Sequence, residues 1–217
     1  MILMRAASSA LLVAVIVAPT GCGSFVAGGS TSLESLVLTA DDFPPGVLYG
    51  RVVDDPADPY ADAPAALSQP EGCSDALMQV VADSPERDTG NAAKYTVAYD
   101  GARIVMTVLT WNLDLDKLAA AAERCAQYQT FSDPAAAPIP TTTTKVPSPR
   151  PDALVYAQTM DLAGAKSTVV YSFENVHDMA AFGIAFPAPN LMIPVKALLP
   201  RTFLTIAGKQ AERLQAA

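Results

Sequence analysis

The stretch that most limits what this chain can become is Ala10-Leu11-Leu12-Val13-Ala14-Val15-Ile16-Val17-Ala18, with Arg5 the only charged side chain before it. The run is too short to cross a bilayer as a stable helix, which needs about 20 apolar residues. A basic start, a short apolar core and small residues after it are the build of a secretory signal. Export would place everything downstream in an oxidising compartment, where cysteine pairs bond and persist. The fold can then use a covalent staple that cytosolic proteins rarely keep.

Directly after the core stands Pro19-Thr20-Gly21-Cys22-Gly23-Ser24. This hexamer resembles the lipobox of bacterial lipoproteins, in which small residues precede a cysteine that is diacylated and becomes the mature N-terminus. Thr20 and Gly21 match that pattern, whereas Pro19 stands where an aliphatic residue is usual. The resemblance implies a signal peptide over 1–21, lipid attachment at Cys22 through palmitate-type chains, and residence on the outer face of the cytoplasmic membrane. The alternative is an ordinary signal with an incidental Cys22, cut further on near Ala27. Residues 22–32 are small and Gly-rich and read as a flexible tether, which leaves 33–217 as a single domain.

Removing the signal loses only Arg5 and moves the formal net charge from −8 to −9. An acidic surface repels phosphate backbones and anionic headgroups, so nucleic acid is disfavoured as a partner and so is docking through a basic patch. Attachment to the membrane then falls to the acyl groups, at about 0.8 kcal/mol per buried methylene. With Cys22 lipidated, Cys73 and Cys125 remain. They are either a disulfide or two buried free thiols, and export favours the bond. Closing a loop of roughly fifty residues would stabilise the fold by about 4 kcal/mol on the chain-entropy view.

Along the domain, Leu33, Leu36 and Val37 fall at helical spacing until Asp41-Asp42-Phe43-Pro44-Pro45-Gly46 interrupts them. Val47 to Val53 suits one short strand. Cys73 opens a short helix with Ser74 or Asp75 near its start. Asn91 to Tyr99 and Arg103 to Trp111 read as strands of a hairpin around Asp100-Gly101. Asn112 is placed to cap the next helix, whose stripe is Leu115, Leu118, Ala119, Ala122 and Cys125. Ser132 to Asp152, rich in proline and threonine, reads as an exposed loop. Ala153 to Leu162 and Lys166 to Phe173 are strands about Gly164. Ala180 to Phe186 is a third strand or a short helix. A last helix comes after Pro200, with Phe203, Ile206, Ala207 and Leu214 on one face. The order implies an α+β fold, a central antiparallel sheet with helices packed on one face.

The segment Leu36-Val37-Leu38-Thr39-Ala40-Asp41-Asp42-Phe43-Pro44-Pro45-Gly46, the cysteine at 73, the strand pair and the Cys125 helix together resemble a known group. They look like mycobacterial and related actinobacterial cell-envelope lipoproteins with a domain similar to the extracellular sensor domain of the kinase PknH. The likeness would run from Leu33 to Leu214. It implies an α/β module with a central antiparallel sheet and a groove used for binding rather than turnover. The kinase sensor pattern carries two disulfides, and this chain can form one.

Catalytic and metal chemistry find little support. His177, the single histidine, stands beside Asp178, but neighbours point apart and no Gly-x-Ser-x-Gly is present, so it reads as a loop histidine. Asp54, Asp55, Asp58 and Asp62 could offer oxygens to Ca²⁺, yet they lack the turn glycine and closing glutamate of a calcium loop, and a solvated acidic loop is the better reading. Zinc lacks ligands, and no Gly-rich loop comes after a strand to hold a nucleotide. The expectation is no enzyme, no metal and no cofactor. Trp111, Tyr95, Tyr99, Tyr156 and Tyr171 lie in expected strands; most belong to the core, and any on an uncovered face would line a groove for an apolar or glycan ligand. The run Thr141 to Thr144 reads as a spacer, with O-linked sugar the alternative. The functional expectation is a non-catalytic, lipid-anchored binding or sensing module that meets an envelope protein or such a ligand. A carrier of lipid or another apolar molecule across the envelope is the other reading.

Overall fold

The structure is a computed structural model that describes residues 32–52, 66–86, 90–133 and 135–217. Cys22, the signal and tether readings, and the acidic stretch with Asp54, Asp55, Asp58 and Asp62 lie outside the described residues. Two single-turn 3-10 segments, Leu33–Leu36 and Ala40–Asp42, lead into β1 (Leu48–Val52). Then come β2 (Leu67–Gln69), α1 (Ala76–Ala82), β3 (Ala92–Tyr99), β4 (Gly101–Leu109) and α2 (Leu115–Arg124). The second half adds β5 (Gln127–Phe131), β6 (Ile139–Lys145), β7 (Leu154–Leu162), β8 (Ala165–Val176), β9 (Met179–Ala188) and α3 (Arg201–Gln215).

The nine strands among the described residues join one antiparallel sheet, in the order β1-β3-β4-β9-β8-β7-β6-β5-β2. The fold is α+β. The β3–β4 hairpin turns at Asp100 and Gly101, where φ is +97°, a conformation glycine adopts without a Cβ clash. Ala180 to Phe186 is strand, and β9 runs on through Pro187 to Ala188. Central position explains it: β9 pairs with β4 on one side and β8 on the other.

Three expectations are corrected. The helices pack on both faces of the sheet rather than one. On the first face, α3 lays Phe203, Ile206 and Leu214 over Tyr95, Val97, Ile104, Met106 and Ala185. On the second, α1 and α2 bring Leu77, Val81 and Leu118 over Tyr156, Phe173 and Phe182. The reason is visible in the central strands: Ala181 and Ala185 face α3 while Ala180 and Phe182 face α2, so both parities of β9 are apolar and both sides must be covered. Second, residues 132–152 are not one exposed loop. They contain β6, paired with β5 and β7, where Thr141 and Thr143 point inward and Thr142 and Thr144 outward. β-Branched threonine suits a pleated strand in spite of the flanking prolines. Third, Asp114 rather than Asn112 caps α2, accepting from Lys117 N at 2.9 Å.

The first face is sealed closely. Gly183 lies under α3, and a Cβ there would stand 2.8 Å from Phe203 Cε2 and overlap Met106 Sδ. Gln210, fully buried, accepts from Leu38 N at 3.1 Å and donates to Leu36 O at 2.8 Å. Arg213 donates to Val37 O and to Asp42, so α3 grips the strap of residues 36–42 through side chain to backbone bonds. Arg150 reaches over the same face and pairs with buried Glu174 at 2.6–2.8 Å.

The second face is held covalently. Cys73, at the lead-in to α1, and Cys125, at the C-cap of α2, form a disulfide with Cα atoms 5.4 Å apart. Ser68 Oγ accepts from Cys73 N at 2.9 Å, which fixes β2 to the same junction.

Candidate functional site

The helices α1 and α2 are short, and they leave part of the second face uncovered. The uncovered part is a groove of about 360 Å³ whose floor is β5 to β8. Alternation decides which side chains line it: Tyr128 and Thr130 from β5, Thr141 from β6, Gln158 and Met160 from β7, Val169 and Tyr171 from β8. Ile139 and Phe131 close the outer end, and Ala66 and Ser74 form one wall. That wall is tied by Ser74 Oγ donating to Ala66 O at 2.5 Å, a few residues from the disulfide. The cross-link therefore positions the groove wall as well as the helices.

Among the described residues the lining contains no charged side chain. Its aromatic floor continues inward as a ladder: Tyr171 stacks on Phe173 with centroids 6.3 Å apart and planes 4° apart, and Phe173 on Phe182 at 6.2 Å. Burial pushes the Tyr171 hydroxyl up to about 12. The Tyr128 hydroxyl is also pushed up to about 12, by burial first and then by its nearness to Tyr171 and Asp75. Both stay neutral donors across the physiological range. Thr130, Thr141 and Gln158 are buried in the floor, and their bonds to Ile139 O and Thr143 Oγ1 are long, 3.3–3.5 Å. The groove can thus offer flat apolar area and weakly engaged hydroxyl and amide groups to an uncharged molecule. Among the described residues its lining sets no nucleophile beside a base.

Of the aromatic residues singled out in the sequence, Tyr95, Tyr99, Tyr156 and Trp111 are buried in the core. Tyr171 is the one that lines the groove. Tyr128 is not among them, although Gln127-Tyr128-Gln129-Thr130-Phe131 alternates as an edge-region strand should. His177 is exposed in the β8–β9 turn with φ +55°, at the end of the sheet opposite the groove mouth. Asp178 beside it is exposed too. Among the described residues no three of His, Cys, Asp and Glu are grouped to hold a metal ion, and no helix is long and apolar enough to cross a membrane. Two other clefts have charged rims, one near Arg103 and Asn190 beside β1 and β4 and another near Asp83, Glu86 and Lys117 beside α2, and a third along β2, β5 and β6 is lined by Gln69, Gln127, Gln129 and Thr142.

The architecture is similar to that of a solved structure. It is an uncharacterised protein from Mycobacterium smegmatis, an Rv0999 ortholog, with a TM-score of 0.51 and 12% identity over 85% of this chain and 95% of that one. At this identity the likeness concerns the fold. No protein-family model matches the chain, and no curated protein does.

Proposed function

We propose that this chain is a non-catalytic binding module of the bacterial cell envelope, lipid-anchored at Cys22 on the outer face of the cytoplasmic membrane, of the mycobacterial lipoprotein kind with a PknH-sensor-like domain. The observation that carries the binding reading is the groove over β5 to β8, uncharged and floored by Tyr128 and Tyr171. Its volume lies near the small end of ligand sites. The ligand it suits is uncharged with an apolar or ring face, such as a sugar ring stacked on Tyr171 or a short acyl segment along Met160 and Val169. Stacking plus neutral hydroxyl donors gives orientation without charge. The experiment is native mass spectrometry of protein purified without denaturant, compared with Tyr171→Ala. A bound neutral species lost in the variant supports the reading; an empty parent exposed to envelope extract overturns it.

The carrier reading draws on the apolar outer end of the groove, formed by Phe131, Ile139, Met160 and Val169. It requires lipid in that mass spectrum, and a glycan there would exclude it. The anchor is tested apart from the groove: acyl-chain labelling that persists in Cys22→Ala would remove Cys22 as the attachment site.

A further inference from the structure

Large apolar side chains stand exposed at one end of the sheet. The antiparallel register sets this end: the starts of β1, β2, β4, β6 and β8 lie there, with the ends of β3, β5, β7 and β9. Leu48 begins β1, Leu67 begins β2, Leu162 ends β7 and Phe186 is near the end of β9, and all are exposed. The segment after β9 leaves the sheet at the same end, and its Leu191 and Met192 are each 90% exposed, with Leu198 at 60%. Every exposed large apolar side chain among the described residues lies on this rim. That segment is a built feature. Asp100 in the β3–β4 turn receives Asn190 N on its carboxylate at 3.1 Å and exchanges backbone bonds with Val195 and Ala197.

The charge of the rim departs from that of the chain. Arg103, Lys166, Lys196 and Arg201 are exposed there. Among the described residues the carboxylates at this end are Asp100, Asp133 and Asp161, each held in place by a backbone N–H group. Lys196 Nζ stands 4.0 Å from the Asp100 carboxylate and still faces solvent. Among the described residues, four exposed cations stand beside three carboxylates around this apolar end, in a protein of net charge −8.

We infer that this rim meets the surface of an anionic lipid bilayer, with Leu191 and Met192 inserted at the acyl boundary and the cations against headgroup phosphates. The inference rests on the reading that the domain stands at a membrane. A protein partner would ask for a packed apolar centre with a polar border. Here the apolar groups sit on separate turn tips along the width of the sheet, a shape that a fluid bilayer accepts without complementarity. Cations beside anionic lipid add attraction, and Leu191 and Met192, adjacent in the chain and each 90% exposed, supply the apolar point of contact. The chain from a lipidated Cys22 to Leu33 could span about 35 Å if extended, so an anchor there leaves the rim free to reach the bilayer. The groove also opens toward this end, through Phe131, Ile139 and Met160.

The test uses the full chain on vesicles of phosphatidylcholine with and without phosphatidylglycerol. An environment-sensitive fluorophore on Met192→Cys is compared with the same label on Asp178→Cys at the opposite end. The expected result is a blue shift and quenching by lipid-borne nitroxide at 192 on the anionic vesicles, with 178 remaining solvated. Leu191→Asp with Met192→Asp should weaken the anionic-lipid contribution about tenfold or more, since burying each side chain is worth at least that factor. A label at 192 that stays as solvated as 178 while the protein sediments with vesicles overturns the inference. So does a concentration-dependent dimer that the double Asp variant abolishes, which would assign the rim to a second copy. Failure of the anchor reading shows separately, as membrane retention unchanged in Cys22→Ala with the 192–178 contrast intact.

Discussion

The two faces of the sheet are closed in different ways. On the first, α3 covers β3, β4, β8 and β9 with an apolar stripe and grips the 36–42 strap through Gln210 and Arg213. On the second, α1 and α2 are shorter and a disulfide stands where more buried area would otherwise be needed. The first closure is tight, with Gly183 directly under Phe203 of α3. The second leaves a groove, because covalent closure fixes the position of a wall without filling the space beside it. The two faces thus differ in how much open space their closure leaves.

The largest effect should come from the covalent closure. The Cys73→Ser, Cys125→Ser double variant is expected to lose about 4 kcal/mol, a drop in Tm on the order of 10 °C for a domain of this size. The comparison sharpens in hydrogen exchange. Amides of α1 and β2 should lose protection first, while α3 keeps its own. Equal loss on both faces would mean that they do not close independently.

Next is the polar grip on the first face. Gln210→Ala strands Leu38 N and Leu36 O in a buried site, and each orphaned group costs about 1–3 kcal/mol. A loss of about 2–3 kcal/mol is expected by denaturant melt, with faster exchange at residues 36–38 and no change in groove ligand binding. A groove that also changes would mean that the two closures are coupled.

Alkaline pH probes the second face in turn. Tyr128 and Tyr171 have folded values raised to about 12, above the ordinary value of 10.0. The unfolded chain therefore releases these protons first. Their contribution is whole below pH 10 and is lost as pH climbs from 10 toward 12. Stability should fall across that window, and Tyr171→Phe should make the fall shallower. Ultraviolet titration showing both hydroxyls ionising at the ordinary tyrosine value would contradict the burial of the groove floor.

Much of the fold is legible in the residues. The β3–β4 hairpin is marked by Asp100-Gly101 between alternating runs, α3 by the spacing of Phe203, Ile206 and Leu214, and the β7–β8 pair by β-branched residues about Gly164. What escapes a reading of the sequence shares a cause. β6 hides among prolines and repeated threonines, because strand pairing on both sides overrides composition. Helices on both faces come from the parity of Ala180 to Ala185, which a short apolar run does not announce by itself. The groove assembles Tyr128, Thr141, Gln158 and Tyr171 from four strands, and only the register makes them neighbours. Tyr171 is a visible candidate in the sequence, but nothing local separates it from Tyr156, which is buried.

The smallest expected effect has the opposite sign, and it tests how well the first face is sealed. Tyr95 is fully buried on β3 between Tyr49 and Phe43, with ring centroids 5.7 Å and 6.2 Å away. Its hydroxyl has no hydrogen-bond partner among the described residues, and burial drives its ionisation far above the ordinary tyrosine range. Tyr49 in the same cluster is satisfied, donating to Leu38 O at 2.8 Å. An unpaired buried hydroxyl costs about 1–3 kcal/mol relative to a paired one, and removing it leaves the ring packing unchanged. Tyr95→Phe should therefore raise stability by about 1 kcal/mol in a denaturant melt, whereas Tyr49→Phe should lower it by a similar amount through the orphaned Leu38 carbonyl. If Tyr95→Phe destabilises instead, the hydroxyl has a partner such as an internal water beside Arg51, whose Nη1 is buried and also unpaired. The first face would then enclose a wet polar pocket, and the contrast between a sealed face and an open one would fail at the β1 edge.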